Sequence, residues 1–74
     1  MKRAVVYSLV GCPWCTKVRA LLRKKGYSII ERKVKRGQRP LAMPNGRVPQ
    51  TYPQVWISGK HIGGYDATAK KLGA

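Results

Sequence analysis

Acidic side chains are almost absent from this sequence of 74 residues. It has two acids, Glu31 and Asp66, against sixteen lysines and arginines, for a formal net charge of +14. Such a charge attracts anions and speeds the encounter with acidic partners, most strongly at low salt. The basic residues are spread along the whole chain, with no obvious aromatic stacking platforms between them. We therefore expect an acidic protein or peptide partner rather than nucleic acid.

Histidine and cysteine are also scarce, which limits the metal sites that the chain can build. Cys12, Cys15 and His61 are its only cysteines and histidine, so a four-ligand zinc site would need Glu31, Asp66 or a second chain. A structural disulfide is equally unpromising, because a bridge between Cys12 and Cys15 closes almost no loop and stabilises little. We predict that no metal binds and that the two cysteines form a reversible dithiol.

Long apolar runs are missing as well. None approaches the roughly 20 residues that cross a bilayer, so we expect no membrane association. The apolar stretch at residues 4–7 is too short for the hydrophobic part of a secretory signal. A reversible dithiol suits a reducing compartment, and we expect a monomeric cytoplasmic protein. Residues 1–74 are predicted to form a single domain, because the chain is shorter than typical domains of roughly 100–150 residues.

The order of hydrophobic and turn residues predicts an α/β domain. Residues 4–9 and 27–34 are rich in β-branched and aromatic side chains, as strands are, and residues 13–25 between them carry a helical apolar stripe. A helix between two strands favours a parallel pair. Residues 54–57 and 60–62 predict two more strands joined by a tight turn.

Two segments are less regular. Residues 36–49 contain several prolines and glycines, which argue against a long helix and leave room for one helical turn at residues 41–43. Asp66 is a candidate N-cap for a final helix over residues 67–72. The predicted fold class is therefore α/β: a minimal thioredoxin-like fold in which a four-stranded mixed sheet is flanked by two or three helices.

The two cysteines fall between the first predicted strand and the first predicted helix, where a CxxC pair indicates redox chemistry. A thiolate at the start of a helix is stabilised by the helix dipole and by free backbone N–H groups. We predict that Cys12 is the attacking thiolate and that Cys15, one turn into the helix, resolves the intermediate. Trp14 is expected to contact substrate, and His61 to be a hairpin residue rather than a base.

Four segments, taken in order, resemble the glutaredoxin family. They are Cys-Pro-Trp-Cys at residues 12–15, Thr-Tyr-Pro at 51–53, the strand hairpin at 54–62 and Gly-Gly-Tyr-Asp at 63–66. The resemblance implies a glutathione-dependent thiol-disulfide oxidoreductase that acts in electron transport, with glutathione as reductant and co-substrate. The implied substrates are glutathione mixed disulfides and disulfide-containing proteins, with ribonucleotide reductase as a candidate.

The resemblance also implies which residues bind glutathione. They are Trp14, Thr51, Tyr52, Pro53, Gly63, Gly64, Tyr65 and Asp66. Beside a cis Pro53, the backbone of Tyr52 would pair with the cysteinyl part of glutathione as an added strand does. Asp66 would accept from the γ-glutamyl ammonium group, while N–H groups at the helix start hold its carboxylate.

The sequence departs from the glutaredoxin pattern at Leu9 and Val10, where that family often has a lysine for the glycyl carboxylate of glutathione. Arg39 or Arg47 would have to supply this charge. Three other functions remain open. They are an NrdH-like redoxin served by thioredoxin reductase, an iron–sulfur carrier that dimerises through Cys12 and external thiols, and a basic nucleic-acid-binding module.

Overall fold

The sheet is mixed and consists of four strands in the order β2-β1-β3-β4. The structure is a computed structural model that describes residues 2–73. The strands are β1 (Lys2–Leu9), β2 (Tyr27–Val34), β3 (Gln54–Ile57) and β4 (Lys60–Gly63). The β1–β2 pair is parallel and the other two pairs are antiparallel, which confirms the predicted mixed sheet.

Helix α1 (Pro13–Lys24) connects β1 to β2, so that the two strands run parallel. Proline suits the first helical position, because its φ is already helical and its missing N–H would have no partner there. The helix ends before Gly26, whose φ of 85° lies in the left-handed region that glycine adopts without steric cost. Val18 and Leu22, from the predicted apolar stripe, are fully buried.

Helix α2 (Tyr65–Leu72) begins two residues earlier than predicted, with Gly64 as its N-cap. Asp66 lies inside the first turn, so the prediction that it caps the helix was wrong. The N–H and the hydroxyl of Thr68 both donate to the Gly64 carbonyl, at 3.0 and 2.8 Å. These two hydrogen bonds stabilise a first turn that begins at Gly64 rather than at Asp66. No helix within residues 2–73 is long and apolar enough to cross a membrane.

The sheet buries apolar side chains on both faces. The cluster that includes the stripe of α1 consists of Ala4, Val6, Val18, Leu22, Val55 and Ile57. On the opposite face, Tyr7 and Trp56 are covered by Met43 from the long loop. The indole N–H of Trp56 donates to the thioether sulfur of Met43 at 3.4 Å. The loop between β2 and β3 therefore covers this face of the sheet, where a third helix was one of the predicted possibilities.

The helical turn considered at residues 41–43 does not form. Met43 precedes Pro44, and a residue before proline is disfavoured in the α conformation. Instead, the Met43 carbonyl accepts the N–H of Gly46 at 2.9 Å, and the Met43 N–H donates to the Arg47 carbonyl at 2.8 Å. This turn holds the Met43 side chain against the sheet.

Candidate active site

Cys12 caps the N-terminus of α1 through its sulfur. The sulfur accepts the backbone N–H of Cys15, with 3.2 Å between Sγ and the nitrogen. The Cys12 backbone is extended, with φ of −88° and ψ of 111°, as expected for a cap residue that stands outside the helix. Its side chain is half-buried. The sulfur therefore occupies a position where backbone N–H groups and the helix dipole favour negative charge.

Cys15 is fully buried one turn into α1. Burial, with a smaller contribution from the hydrogen bond to Cys12, raises the pKa of Cys15 from 9.0 to about 11. Both cysteines are free thiols. The site therefore contains one sulfur that solvent reaches and a second that is held protonated behind it at neutral pH.

A groove of about 430 Å³ lies beside the dithiol. Its lining residues are Trp14, Thr51, Tyr52, Pro53, Gly64, Tyr65, Asp66 and Ala67. The carbonyl oxygen of Tyr52 lies 3.9 Å from the Cys12 sulfur, so one wall of the groove adjoins the accessible thiol. The peptide bond between Tyr52 and Pro53 is cis.

The groove brings together seven of the eight residues predicted from the resemblance. The exception is Gly63, which ends β4 and lies behind the lining. It has a φ of 120°, and a Cβ there would lie 3.1 Å from the Cβ of Ala67. Sequence reasoning missed Ala67, whose only signal is that it follows Asp66 in the helix.

Aromatic rings form one side of the groove and the start of α2 forms another. The rings of Trp14 and Tyr65 are 5.2 Å apart and tilted by 48°. Trp14 keeps 49% of its surface exposed, with the Lys17 ammonium 4.3 Å from its ring centre. Gly64 has no side chain to cap α2, so no side-chain acceptor serves the N–H groups of that first turn, where Asp66 lies.

A side-chain network that sequence reasoning missed holds the loop before Pro53. The Gln54 amide nitrogen donates to the carbonyl oxygen of Thr51 at 3.1 Å and to its hydroxyl at 2.9 Å. The amide oxygen accepts from Nε2 of His61 at 2.7 Å, and the His61 ring stacks on Trp56 at 5.0 Å. His61 is thus an exposed hairpin residue, as predicted. A glutamine at the first position of a strand carries no sequence signal for this contact.

Basic side chains lie outside the groove. Within residues 2–73 no lysine or arginine lines it, and neither Arg39 nor Arg47 reaches it. Arg47 lines a neighbouring cavity of about 640 Å³. Arg19 and Lys33 line a smaller cavity of about 280 Å³ that includes Cys12. The positive charge around the dithiol therefore comes from α1 and β2.

Comparison with known proteins identifies the family. The Glutaredoxin family model matches residues 4–62. Glutaredoxin 1 of Rickettsia bellii is 39% identical over 67 residues, which cover 84% of this chain and 68% of that protein. A buckwheat glutaredoxin–glutathione complex has a TM-score of 0.65 at 28% identity, covering 95% of this chain and 67% of that chain.

The fold has a further match in Glutaredoxin 1 from Francisella tularensis, solved with cacodylate. Its TM-score is 0.71 at 17% identity, and the match covers 99% of this chain and 93% of that chain. The family model spans most of this chain, and the Rickettsia relative matches over most of both lengths. The chain therefore belongs to the glutaredoxin family and is a thiol-disulfide oxidoreductase with the thioredoxin-like fold.

Proposed function

We propose that this protein reduces glutathione mixed disulfides and protein disulfides through Cys12 and Cys15, with glutathione as the electron donor. The observation that carries the proposal is the position of the Cys12 sulfur, which caps a helix and lies 3.9 Å from the Tyr52 carbonyl at the groove. The groove, at about 430 Å³, falls within the range of about 300–1,000 Å³ usual for small-molecule sites. The glutathione complex of the buckwheat relative supports the choice of donor.

With a glutathione mixed disulfide, the Cys12 thiolate attacks the glutathione sulfur. A new disulfide forms between Cys12 and glutathione, and the substrate leaves as a thiolate that takes up a proton. A second glutathione thiolate then attacks the sulfur of the bound glutathione. Oxidised glutathione is released and the Cys12 thiolate is restored, so each mixed disulfide reduced consumes one free glutathione thiol, whose sulfur joins the glutathione sulfur that was already in the disulfide.

With a protein disulfide, Cys15 takes part in the second step. Cys12 attacks one substrate sulfur and releases the other, and Cys15 then loses its proton and attacks the Cys12 sulfur. The second substrate thiol leaves, and two glutathione molecules reduce the resulting Cys12–Cys15 disulfide. Since burial raises the pKa of Cys15 to about 11, its attack is slow at neutral pH.

Glutathione lies along the groove in this proposal. The backbone of Tyr52 pairs with the cysteinyl residue, which brings the glutathione sulfur to Cys12. The γ-glutamyl ammonium group binds the Asp66 carboxylate, and the γ-glutamyl carboxylate meets the uncapped N–H groups at the start of α2. Trp14 and Tyr65 pack against the apolar parts of the ligand.

The net charge of +14 favours disulfide-bearing proteins with acidic surfaces as the larger substrates, because opposite charge speeds their encounter with the dithiol. Ribonucleotide reductase is a candidate of this class. We further propose that the protein acts as a monomer in the cytoplasm, where glutathione is available in its reduced form.

The test is reduction of a small glutathione mixed disulfide, coupled to glutathione reductase. We expect activity in the wild type, none in Cys12→Ser and at least part of it in Cys15→Ser. Loss in both variants would mean that Cys15 is needed for every turnover. If the wild type is inactive in this assay but is reduced by thioredoxin reductase, then thioredoxin reductase rather than glutathione is the electron donor. That alternative is worth testing because no basic residue lines the groove to bind a carboxylate of glutathione.

A further inference from the structure

We infer that Gln54 is a positioning residue for the glutathione groove, because its side-chain amide holds Thr51 and Tyr52 in the conformation that faces the dithiol. The inference takes the identity of the ligand from the proposed function. It adds a residue outside the groove lining that determines how well the groove is formed before ligand arrives.

The Gln54 amide has one favoured orientation, set by the Thr51 carbonyl oxygen, which can only accept a hydrogen bond. Its NH₂ group donates to the carbonyl oxygen and the hydroxyl of Thr51, at 3.1 and 2.9 Å. Its oxygen accepts from Nε2 of His61 at 2.7 Å. A rotated amide would place its oxygen against the Thr51 carbonyl oxygen, which can only accept, and that bond would be lost; the observed orientation goes with the His61 tautomer that carries its proton on Nε2.

His61 is itself held by the sheet. Its ring stacks on Trp56 with 5.0 Å between ring centres and 15° between planes. Trp56 is 7% exposed and donates its indole N–H to Met43. A continuous set of contacts therefore runs from the packed sheet face, through His61 and Gln54, to Thr51 at the edge of the groove.

Thr51 and Tyr52 need this support because the backbone provides little of it. Within the described part of the chain, no backbone–backbone hydrogen bond outside the strands involves residues 48–53. Thr51 is exposed. Tyr52 packs its side chain against the cluster that contains Met43, and its carbonyl oxygen lies 3.9 Å from the Cys12 sulfur. The two bonds from Gln54 are thus the main polar ties of this segment to the folded sheet.

A ligand that pairs with the backbone of residue 52 requires that backbone to be ordered before it binds. Without the Gln54 bonds, ordering the segment would add an entropic cost to binding, while the Cys12 sulfur and its helix cap would be unchanged. The effect should therefore fall on KM for the glutathione mixed disulfide and leave the chemistry of Cys12 intact.

The kinetic test compares Gln54→Met with Gln50→Met, a matched control that makes the same change at an exposed glutamine for which the structure records no side-chain hydrogen bond. For Gln54→Met we expect KM to rise about 5- to 20-fold, as for loss of one or two hydrogen bonds, with kcat within about twofold. Iodoacetamide should modify Cys12 at the wild-type rate in both variants. The control should match the wild type throughout.

A second readout does not depend on activity. Amide ¹⁵N relaxation should show Thr51 and Tyr52 passing from order parameters near about 0.85 to below about 0.6 in Gln54→Met, and not in Gln50→Met. Gln54→Glu retains the His61 partner and places a carboxylate oxygen against the Thr51 carbonyl oxygen, so it should change KM and the Thr51 order parameter in the same direction, and it serves if Gln54→Met does not fold.

The outcomes separate the two claims. A wild type without glutathione-dependent activity would refute the proposed function, and the order parameters would still decide the role of Gln54. A raised KM with unchanged order would overturn positioning in favour of direct ligand contact. A raised KM together with a similar fall in kcat and in the alkylation rate of Gln54→Met would show a general structural role instead of positioning. An unchanged KM with unchanged order parameters would overturn the inference outright.

Discussion

The backbone N–H of Cys15 points at the sulfur of Cys12 across 3.2 Å. One turn of α1 thus produces two unlike thiols, since the residue that caps the helix keeps its sulfur accessible and the residue three positions later is carried into the core. The asymmetry comes from helix geometry and requires no base. It has a direct consequence for chemical labelling.

In the Cys12→Ser variant, Cys15 should react with iodoacetamide at pH 7 at least about tenfold more slowly than an unperturbed cysteine, because burial, the largest cause of its raised pKa, remains when the smaller contribution of Cys12 is removed. Burial disfavours the charged form and raises the pKa of Cys15 from 9.0 to about 11, so the reactive thiolate is rarer at any pH below that value. The rate should increase about tenfold per pH unit as the pH rises toward 11. Mass spectrometry of labelling time courses at several pH values measures the alkylation rate of Cys15. A rate independent of pH, or faster labelling of Cys15 than of Cys12 in the wild type, would contradict the assignment.

Gly63→Ala should destabilise the fold by about 1–3 kcal/mol, because a φ of 120° is strained for any residue with a Cβ and the new methyl group would lie 3.1 Å from Ala67. Gly64→Ala is the matched comparison. Gly64 has a φ of −83°, and a Cβ there would make an ordinary 3.5 Å contact with the Pro53 carbonyl. Its free energy of unfolding should change by less than about 0.5 kcal/mol. Urea denaturation measures the free energy of unfolding of both variants. Equal losses of stability in Gly63→Ala and Gly64→Ala would refute the argument from φ.

The dithiol, α1 and the first two strands could be predicted from the sequence because their signals are local. Pro13 and Gly26 mark the helix ends through backbone preferences of single residues, and the apolar stripe follows from spacing. The groove is different. Residues 51–53 and 63–66 are far from Cys12 in the chain, and only the resemblance to a family associated them with it.

The features that were mispredicted or missed depend on particular side-chain contacts. Thr68 fixes the start of α2 through the Gly64 carbonyl, and Asp66 gives no indication of this in the sequence. Gln54 binds Thr51 through its side chain, and the β3–β4 hairpin places His61 against the other end of the same amide. Met43 stands between prolines and covers the sheet without any regular secondary structure. In each case a side-chain contact overrides a reasonable local preference.

Met43 offers a test of the packing of this loop. Met43→Ala should cost about 2–4 kcal/mol, since the side chain is 7% exposed and packs on Tyr7 and Trp56. Leu41→Ala, two residues away in the same loop, removes a side chain that is 42% exposed and should cost less than about 1 kcal/mol. Chemical denaturation monitored by tryptophan fluorescence reports both values. If the two losses are equal, Met43 does not anchor the loop.

His61→Phe tests whether the ring of His61 acts through Gln54. Phenylalanine retains an aromatic ring to stack on Trp56 and removes the Nε2 donor to the Gln54 amide. The Gln54 side chain then loses the partner that holds its amide oxygen and is more mobile, so its bonds to Thr51 are made only part of the time. KM for the glutathione mixed disulfide should rise about two- to threefold, less than in Gln54→Met, because one hydrogen bond is lost indirectly.

The double variant His61→Phe/Gln54→Met makes this prediction sharper. If His61 acts only through the Gln54 amide, His61→Phe has no further effect once that amide has been removed. The double variant should then have the KM of Gln54→Met alone. Independent contributions would instead multiply, giving a KM about two- to threefold higher than that of Gln54→Met. Steady-state kinetics on the four proteins distinguishes the two cases, and multiplying effects would show that His61 influences the groove by a route that does not pass through Gln54.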